Sequence, residues 1–424
     1  MNLFPHQSAT ANAIASQHPY FGAIIADEPG LGKTATAIRV GQLACPQAPW
    51  AIIAPRNVKQ GWREEMEKWF PQKKNFFITH YEEVPKVLSQ LKTSALLIVD
   101  EAHYLKNTTT ERFRNIFPIV QTDFQKRILL LTGTPIYSYP IDLFALLALC
   151  RVVTIDQEPA FRKRYCDPSY KFIPGKGYGL DFRGASNLDE LKQLCAPYMY
   201  RKAWGDVGID MPKLSFQEVE CDVPKESEYK KARADFQAWY REAKGKEAPP
   251  LARFTTLRRL LAVSKVSDAI EKLETDMRNP NMKAILFSEF REPIESISRK
   301  INAKNFVVLG GDTERKRADT IRDFKEYKGP AVILATTGSL GVGVNLQDAT
   351  RVYFLDFGFE PARFEQAFRR AWRLGQDKPV VVIRLYCPDD PMETFIIKNQ
   401  LRKEKYMGQM GVASSTSLSG FLKG

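Results

Sequence analysis

No apolar run in the 424 residues approaches the roughly 20 that a membrane-spanning helix needs. The start, Met1-Asn2-Leu3-Phe4-Pro5-His6-Gln7, lacks the basic and apolar regions of a secretory signal. Both absences lead to the expectation of a chain that stays in the cytosol. The six cysteines, at positions 45, 150, 166, 195, 221 and 387, form no C-x-x-C pair. That argues against a zinc finger and suits buried thiols in a reducing compartment. No lysine- and arginine-rich cluster reaches nuclear-signal length, and no solenoid repeat is present. What the chain does carry is positive charge: 62 basic against 49 acidic residues give +13 at pH 7, with pI near 9.3. A polyanion is the expected partner, nucleic acid ahead of a membrane surface, although an inert basic surface would have the same composition. With 44% apolar and 26% charged residues, two or three domains with their own cores are expected.

Apolar runs at Phe21–Ala26, Trp50–Pro55, Ala95–Asp100 and Arg127–Gly133 alternate with helical stretches such as Asn57–Trp69. Their hydrophobicity is continuous rather than alternating, which describes strands buried on both faces and hence a parallel sheet between helices. A second set of the same kind comprises Lys283–Ser288, Asn305–Leu309, Ala331–Thr336, Arg351–Phe357 and Val380–Tyr386. Between them the periodicity is helical, as at Leu143–Cys150, Leu188–Leu194, Glu226–Lys244 and Leu251–Met277. The fold class expected is therefore α/β: two tandem parallel-sheet units with a helical insertion between them. The expected divisions are a first lobe over 1–150, insertion and connector over 151–280, and a second lobe over 281–390. Asp389 and Asp390 before Pro391 start a closing helix to 406, and the Gly- and Ser-rich 407–424 reads as a flexible tail. Function should lie at the carboxyl ends of the strands.

The first strand runs into Asp27-Glu28-Pro29-Gly30-Leu31-Gly32-Lys33-Thr34, followed by a helix-forming run to Ala44. This is the strand, glycine turn and helix layout that binds phosphate. Gly30 and Gly32 let backbone N–H groups converge on phosphate oxygens, Lys33 can reach the β and γ phosphates, and Thr34 can ligate magnesium. Asp27 stands where the strict pattern has its first glycine. Leu96-Leu97-Ile98-Val99-Asp100-Glu101-Ala102-His103 places two acids at the end of a buried strand. Asp100 would hold the magnesium through its water shell and Glu101 would orient and deprotonate the attacking water; an ordinary acidic strand end has the same pattern. In Thr132-Gly133-Thr134-Pro135, hydroxyls can sense the γ phosphate or connect two halves of the protein, or simply make a turn.

Taken together, Asp27–Thr34, Asp100–His103 with Tyr104-Leu105-Lys106-Asn107, and Leu131–Ile136 resemble motifs one to three of the Swi/Snf family of superfamily-two ATPases. Lys283–Phe290 resembles motif four, Gly341-Val342-Gly343-Val344-Asn345-Leu346 motif five, and Gln366–Gln376 motif six. The matches run from Phe4 to about Tyr406. The segments Phe161–Asp167 and Gly184–Leu191 are similar to the annealing-helicase branch of that family.

The resemblance implies two RecA-like lobes, ATP and Mg2+ as cofactors, and DNA as partner, double-stranded and held by its backbone without sequence specificity. Gln7 matches the family's adenine-reading glutamine. Arg370 and Arg373 match the motif-six arginines that close onto the phosphates, where a guanidinium can be worth roughly 1,000-fold in rate. Arg369 stands where relatives carry an acid and suits a basic helix face on DNA; Trp372 replaces their histidine and is read as packing between lobes. Pro29 stands where relatives usually have methionine. Thr132, Thr134, Gly343 and Gln376 fall where lobes are coupled. Arg56, Thr79, His80, Ser288, Gly311, Thr336 and Thr337 fall where relatives touch the DNA backbone. Lys59, Arg63, Lys73 and Lys74 can extend that path or be solvated surface.

The implied function is an ATP-dependent duplex-DNA translocase that remodels or reanneals DNA or DNA–protein complexes. A strand-separating DNA or RNA helicase, and a nucleotide-gated DNA-binding recruitment module, are the alternatives. A monomer is expected, without a membrane, with any protein partner at the insertion or the tail. Short ends lead to the expectation that no chromatin-reading or annealing module is appended. They suit a compact motor in the cytoplasm of a bacterial or phage-infected cell; a eukaryotic one would be nuclear.

Overall fold

A computed structural model describes residues 3–16, 22–173, 177–244, 252–340, 344–358 and 360–413. Among these residues the chain forms two compact units. The first gathers the chain up to Lys171, Leu180–Asp210 and the stretch from Lys403; the second is built on Met211–Arg402.

In the first unit, β1 (Gly22–Ile25), β2 (Trp50–Ala54), β3 (Phe76–His80), β4 (Leu96–Asp100) and β5 (Arg127–Leu131) form a sheet in the order β3-β2-β4-β5-β1. Every pairing is parallel. The runs Trp-Ala-Ile-Ile-Ala of β2 and Leu-Leu-Ile-Val of β4 are buried throughout, because helices cover both faces. One face packs Ile24, Ala51, Ile53, Leu97 and Val99 against Phe113, Ile116 and Leu146. The other packs Ile25, Ile52, Ile98 and Leu129 against Ile38, Trp62 and Met66.

β6 (Ser169–Ile173) and β7 (Gly177–Asp181) belong to neither large sheet. The stretch 151–280 contains the helices Glu158–Tyr165, Leu188–Cys195, Glu228–Ala234, Phe236–Lys244, Ala252–Ser264 and Val266–Asp276. It also gives a strand to each sheet. β8 (Met199–Tyr200) pairs parallel with β1, and β9 (Leu214–Glu220) lies at the edge of the second sheet. Leu188, Leu191 and Cys195 share a core with Phe144, Phe161, Met407 and Met410 of the first unit.

The second sheet adds β10 (Lys283–Ser288), β11 (Lys304–Val308), β12 (Ala331–Thr336), β13 (Arg351–Phe354) and β14 (Val380–Tyr386). Its order is β11-β12-β10-β13-β14-β9, again all parallel. The helix Pro391–Gln409 follows, opening after Asp389 and Asp390. The tail beyond residue 413 lies outside the described residues.

One packing detail tests this description of the first unit. Gly41 lies inside the helix Lys33–Ala44, where alanine would ordinarily stabilise by up to about 1 kcal/mol. A Cβ there would come 2.4 Å from the Trp50 ring, which is 1% exposed and fixed by an Nε1–H bond to the Cys45 carbonyl at 2.9 Å. Overpacking should win, so Gly41→Ala is expected to cost a net ~1–2 kcal/mol. A urea melt in which the variant is as stable as the parent, or more so, would show that the contact is not there.

Candidate active site

The turn after β1 takes its shape from Gly30 (φ 94°) and Gly32 (φ 79°), left-handed values that few other residues adopt. The helix Lys33–Ala44 starts at once, so its unpaired N–H groups face the turn. Lys33 Nζ donates to the carbonyls of Asp27 at 2.8 Å and Glu28 at 3.4 Å. Burial pushes this amine below the usual lysine range, opposed by the carboxylates of Glu101, Asp27 and Asp100. A Cβ on Gly133 would fall 2.9 Å from the Pro29 ring and 3.4 Å from Lys33 Nζ, so glycine there keeps the space beside the amine open.

Gln7 lies across the turn at 4% exposure. Its Oε1 accepts from Phe4 N–H at 3.0 Å and its Nε2 donates to the Leu31 carbonyl at 3.1 Å. The side chain fills the space a Cβ on Gly32 would take.

At the end of β4 the two acids are held differently. Asp100 Oδ2 accepts from Trp62 Nε1 at 2.8 Å and Oδ1 from the Glu101 N–H at 2.9 Å. Burial, then the neighbouring Glu101, pushes Asp100 up to about 6. Glu101 is left-handed (φ 50°), a conformation a glutamate adopts only when its surroundings enforce it. Its Oε2 lies 3.2 Å from His103 Nδ1, which is 3.3 Å from Thr132 Oγ1. Thr132 Oγ1 also accepts from the Thr134 N–H at 3.1 Å. The first unit thus gathers Gln7, Gly30, Gly32, Lys33, Thr34, Asp100, Glu101, Thr132 and Thr134 on the carboxyl side of β1, β4 and β5 and on the helix Pro5–Ser16.

No group of three or more His, Cys, Asp or Glu among the described residues could enclose a metal ion. Magnesium beside a nucleotide keeps several waters and takes only one or two protein oxygens beside phosphate. Asp100 and the Thr34 hydroxyl would supply those, and the ion would neutralise charge building on the phosphates.

Several holding residues were not legible in the sequence. Asp27 and Glu28 are both fully buried. The Lys202 N–H donates to Asp27 Oδ1 at 2.8 Å and the Trp204 N–H to Glu28 Oε2 at 3.3 Å. Arg201 lies 3.5 Å from Glu28 Oε1 and donates to the carbonyls of Ala26 and Ala413, both at 2.8 Å. Trp204 Nε1 donates to the Pro29 carbonyl at 3.2 Å. The chain after β8 therefore clamps the phosphate turn from behind. Its only sequence signal was the short apolar Met199-Tyr200 before Arg201 and Lys202.

In the second unit, Arg370 and Arg373 lie half-buried after the helix Pro361–Phe368. The Arg370 carbonyl accepts from the Leu346 N–H at 2.9 Å, and burial lowers the Arg373 guanidinium from its usual value. Gln376 Nε2 donates to the carbonyls of Gln347, Ala371 and Ala349 at 2.8, 3.0 and 3.3 Å. Its Oε1 accepts from the N–H groups of Asp377 and Lys378, so the side chain ties two loops of this unit. Gly343 lies outside the described residues. Arg369 differs from its expected place on a DNA-facing surface: at 5% exposure it pairs with Glu365 at 2.6 Å and lies over the Trp372 ring. Trp372 is a core residue of the second unit, its Nε1 donating to the Pro212 carbonyl at 2.8 Å.

Of the residues expected on DNA, Arg56 and Gly311 are exposed, and Thr336 and Thr337 are half-buried. Thr79, His80 and Ser288 are buried. Ser288 Oγ donates to Asp356 Oδ2 at 2.5 Å, and His80 Nε2 lies 3.3 Å from Arg56 Nη2.

A phosphate turn backed by a strand-end acid pair, followed by a second parallel α/β unit, defines the core of a helicase-like nucleotide hydrolase. Residues 70–267 match the SNF2-related domain and residues 264–375 the helicase conserved C-terminal domain. With these two in tandem over 70–375, the chain belongs to the SNF2-related family of helicase-like proteins. It is 26% identical over 385 residues to the DNA annealing helicase and endonuclease ZRANB3 of Bos taurus, covering 83% of this chain and 36% of that protein. It is 27% identical over 447 residues to the SWI/SNF-related matrix-associated actin-dependent regulator of chromatin subfamily A-like protein 1 of Xenopus tropicalis, covering 98% and 45%. The chain thus spans less than half the length of these relatives. The solved Sulfolobus solfataricus SWI2/SNF2 ATPase core in complex with dsDNA aligns at TM-score 0.43 and 22% identity, over 97% of this chain and 94% of that one.

Two outcomes are expected at this site. If Asp100 takes the magnesium-holding role it must be ionised, so kcat/KM for ATP should fall about tenfold per pH unit below about 6; a profile flat to pH 5 would remove that role. The sign for stability is opposite: burial raises the folded pKa to about 6, above the ordinary carboxylate range, so ionisation costs stability in full above about pH 6 and the cost fades as pH falls from there toward that ordinary range. Arg201→Ala, which strips the buried Glu28 of its cation, should cost roughly 3 kcal/mol in denaturant unfolding. A loss within experimental error would mean that the pair contributes little.

Proposed function

We propose that the chain is a DNA-dependent ATPase that translocates on duplex DNA and remodels or reanneals it. The carrying observation is the acid pair of β4 set against the buried Lys33 amine, in a chain with a +13 excess of positive charge. The printed names of the relatives, a DNA annealing helicase among them, support the same reading. The compartment would be one that holds DNA, the bacterial cytoplasm or the eukaryotic nucleus.

In the proposed reaction the β and γ phosphates of ATP take the N–H groups of the glycine turn, and Lys33 exchanges its carbonyl partners for phosphate oxygen. Thr34 and Asp100 would hold the magnesium, which would offset phosphate charge. Glu101 orients a water and takes its proton as the water attacks the γ phosphorus; ADP leaves. Arg370 and Arg373 of the second unit serve the same reaction by neutralising charge on the transferred group. Gln7 reads the adenine edge. Thr132 and Thr134, with Gly343 and Gln376, link the chemistry to movement.

DNA would be held by its phosphates, which suits a motor that must work on any sequence. Arg56, the peptides at Thr79, His80 and Ser288, and the turns at Gly311, Thr336 and Thr337 are the proposed contacts. The Arg56 guanidinium and the glycine turn at Gly311 are the exposed members of that set.

Turnover should rise with duplex DNA more than with single strands or RNA, and a triplex-displacing activity should depend on ATP. Glu101→Gln should keep nucleotide binding and lose at least about 100-fold in kcat, the scale of a lost general base. Stimulation by RNA alone would replace this reading with an RNA helicase, and unchanged turnover in Glu101→Gln would take Glu101 out of its role.

A further inference from the structure

The carboxyl end of β3 and the carboxyl end of β4 are joined by one buried hydroxyl. Tyr81 is 2% exposed and follows directly on Thr79 and His80. Its hydroxyl donates to the main-chain carbonyl of Asp100 at 2.5 Å and lies 3.2 Å from that of Glu101. Those two carbonyls flank the left-handed Glu101, whose conformation costs on the order of 1–3 kcal/mol unless its surroundings impose it. A phenol buried against both carbonyls is placed to hold it, beside the Tyr104 N–H that also donates to the Glu101 carbonyl at 3.0 Å. Neither Tyr81 carbon nor oxygen needs to touch the nucleotide for this to matter, because the Glu101 backbone decides where its carboxylate points.

The other end of the link is poised for an anion. Glu82 pairs with Arg112 at 2.6 Å and Glu83 with Lys59 at 3.3 Å, while Arg56 sits on His80. The Arg112 guanidinium also lies 5.5 Å from the Tyr81 ring and 5.2 Å from that of Tyr104. Arg56, Lys59 and Arg112 are therefore held by His80, Glu83 and Glu82, residues of the same segment that carries Tyr81. A DNA phosphate competing for those cations would release Glu82 and Glu83 and shift the short helix Tyr81–Lys86.

We propose that Tyr81 is a positioning residue through which the segment Thr79–Glu83 sets the conformation of the Asp100–Glu101 pair, so that duplex DNA bound on that segment tunes ATP hydrolysis. The inference rests on the DNA reading above and adds the route by which DNA reaches the acids. It also explains why a tyrosine is buried there: phenylalanine would fill the same volume and leave both carbonyls without the hydroxyl.

The test is Tyr81→Phe, assayed for ATP turnover with and without saturating duplex DNA and for nucleotide and DNA affinity. The expected result is a DNA-stimulated kcat lowered about tenfold, with KM for ATP, nucleotide affinity and DNA affinity each within about twofold of the parent. Arg112→Ala, at a side chain 43% exposed, is the second variant and leaves the fold undisturbed. It should lower the stimulated kcat several-fold, again at unchanged KM. Parent-like stimulated kcat in both variants overturns the coupling. Loss of nucleotide and DNA affinity together with kcat overturns it too, as the mark of a merely structural role. If the unaltered protein is not stimulated by duplex DNA, the DNA reading itself has failed and the coupling with it; stimulation of the parent with normal Tyr81→Phe turnover removes the coupling alone.

Discussion

Asp27 and Glu28 are buried at the end of β1 with no solvent to share their charge, and the first unit is built to answer them. Two carboxylates removed from water would cost several kcal/mol each if left alone. Lys33 lies beside Asp27, N–H groups from Lys202 and Trp204 point at the oxygens, and Arg201 reaches Glu28 while holding the Ala26 carbonyl. Burial still raises Asp27 above the usual carboxylate range. The phosphate turn is therefore fixed from behind by charge that cannot go elsewhere, and its front is left open for an anion.

That arrangement also prepares the lysine. A half-buried amine that already shares carbonyls of its own loop loses less hydration when phosphate arrives than an exposed one would. Across from it Asp100 and Glu101 divide their work by backbone conformation rather than by residue type. Asp100 is fixed by an indole and a peptide N–H, whereas Glu101 is turned into the left-handed region and set against His103. Two adjacent acids on an ordinary strand end would point to opposite faces. The turn at Glu101, held by Tyr81, brings the second one round.

The differences between expectation and structure have one origin. Ser288, Thr79, His80 and Arg369 are polar residues at strand or helix ends, and polarity there was read as availability. In the fold Ser288 meets Asp356 and His80 meets Arg56 from distant parts of the chain, while Thr79 turns to Glu83 and Arg369 to Glu365 and Trp372 within their own segments. Local sequence carries no signal for a partner dozens of residues away. The same holds for β9, whose positions are half-buried or exposed with none fully buried, as at a sheet edge, and which resembles a loop when read alone.

By itself the sequence determined the two parallel sheets, the phosphate turn and the strand-end acids. Continuous apolar runs can only be strands covered on both faces, and Gly-Leu-Gly-Lys-Thr between a strand and a helix carries its chemistry in consecutive residues. Tertiary structure alone decided what holds that chemistry in place. Arg201 and Trp204 come to Glu28 and Pro29 from more than 170 positions away, and Tyr81 reaches Asp100 across a strand. Those contacts exist because buried charge and buried carbonyls must find partners, and which partner each finds is settled only when the sheet brings the strand ends together.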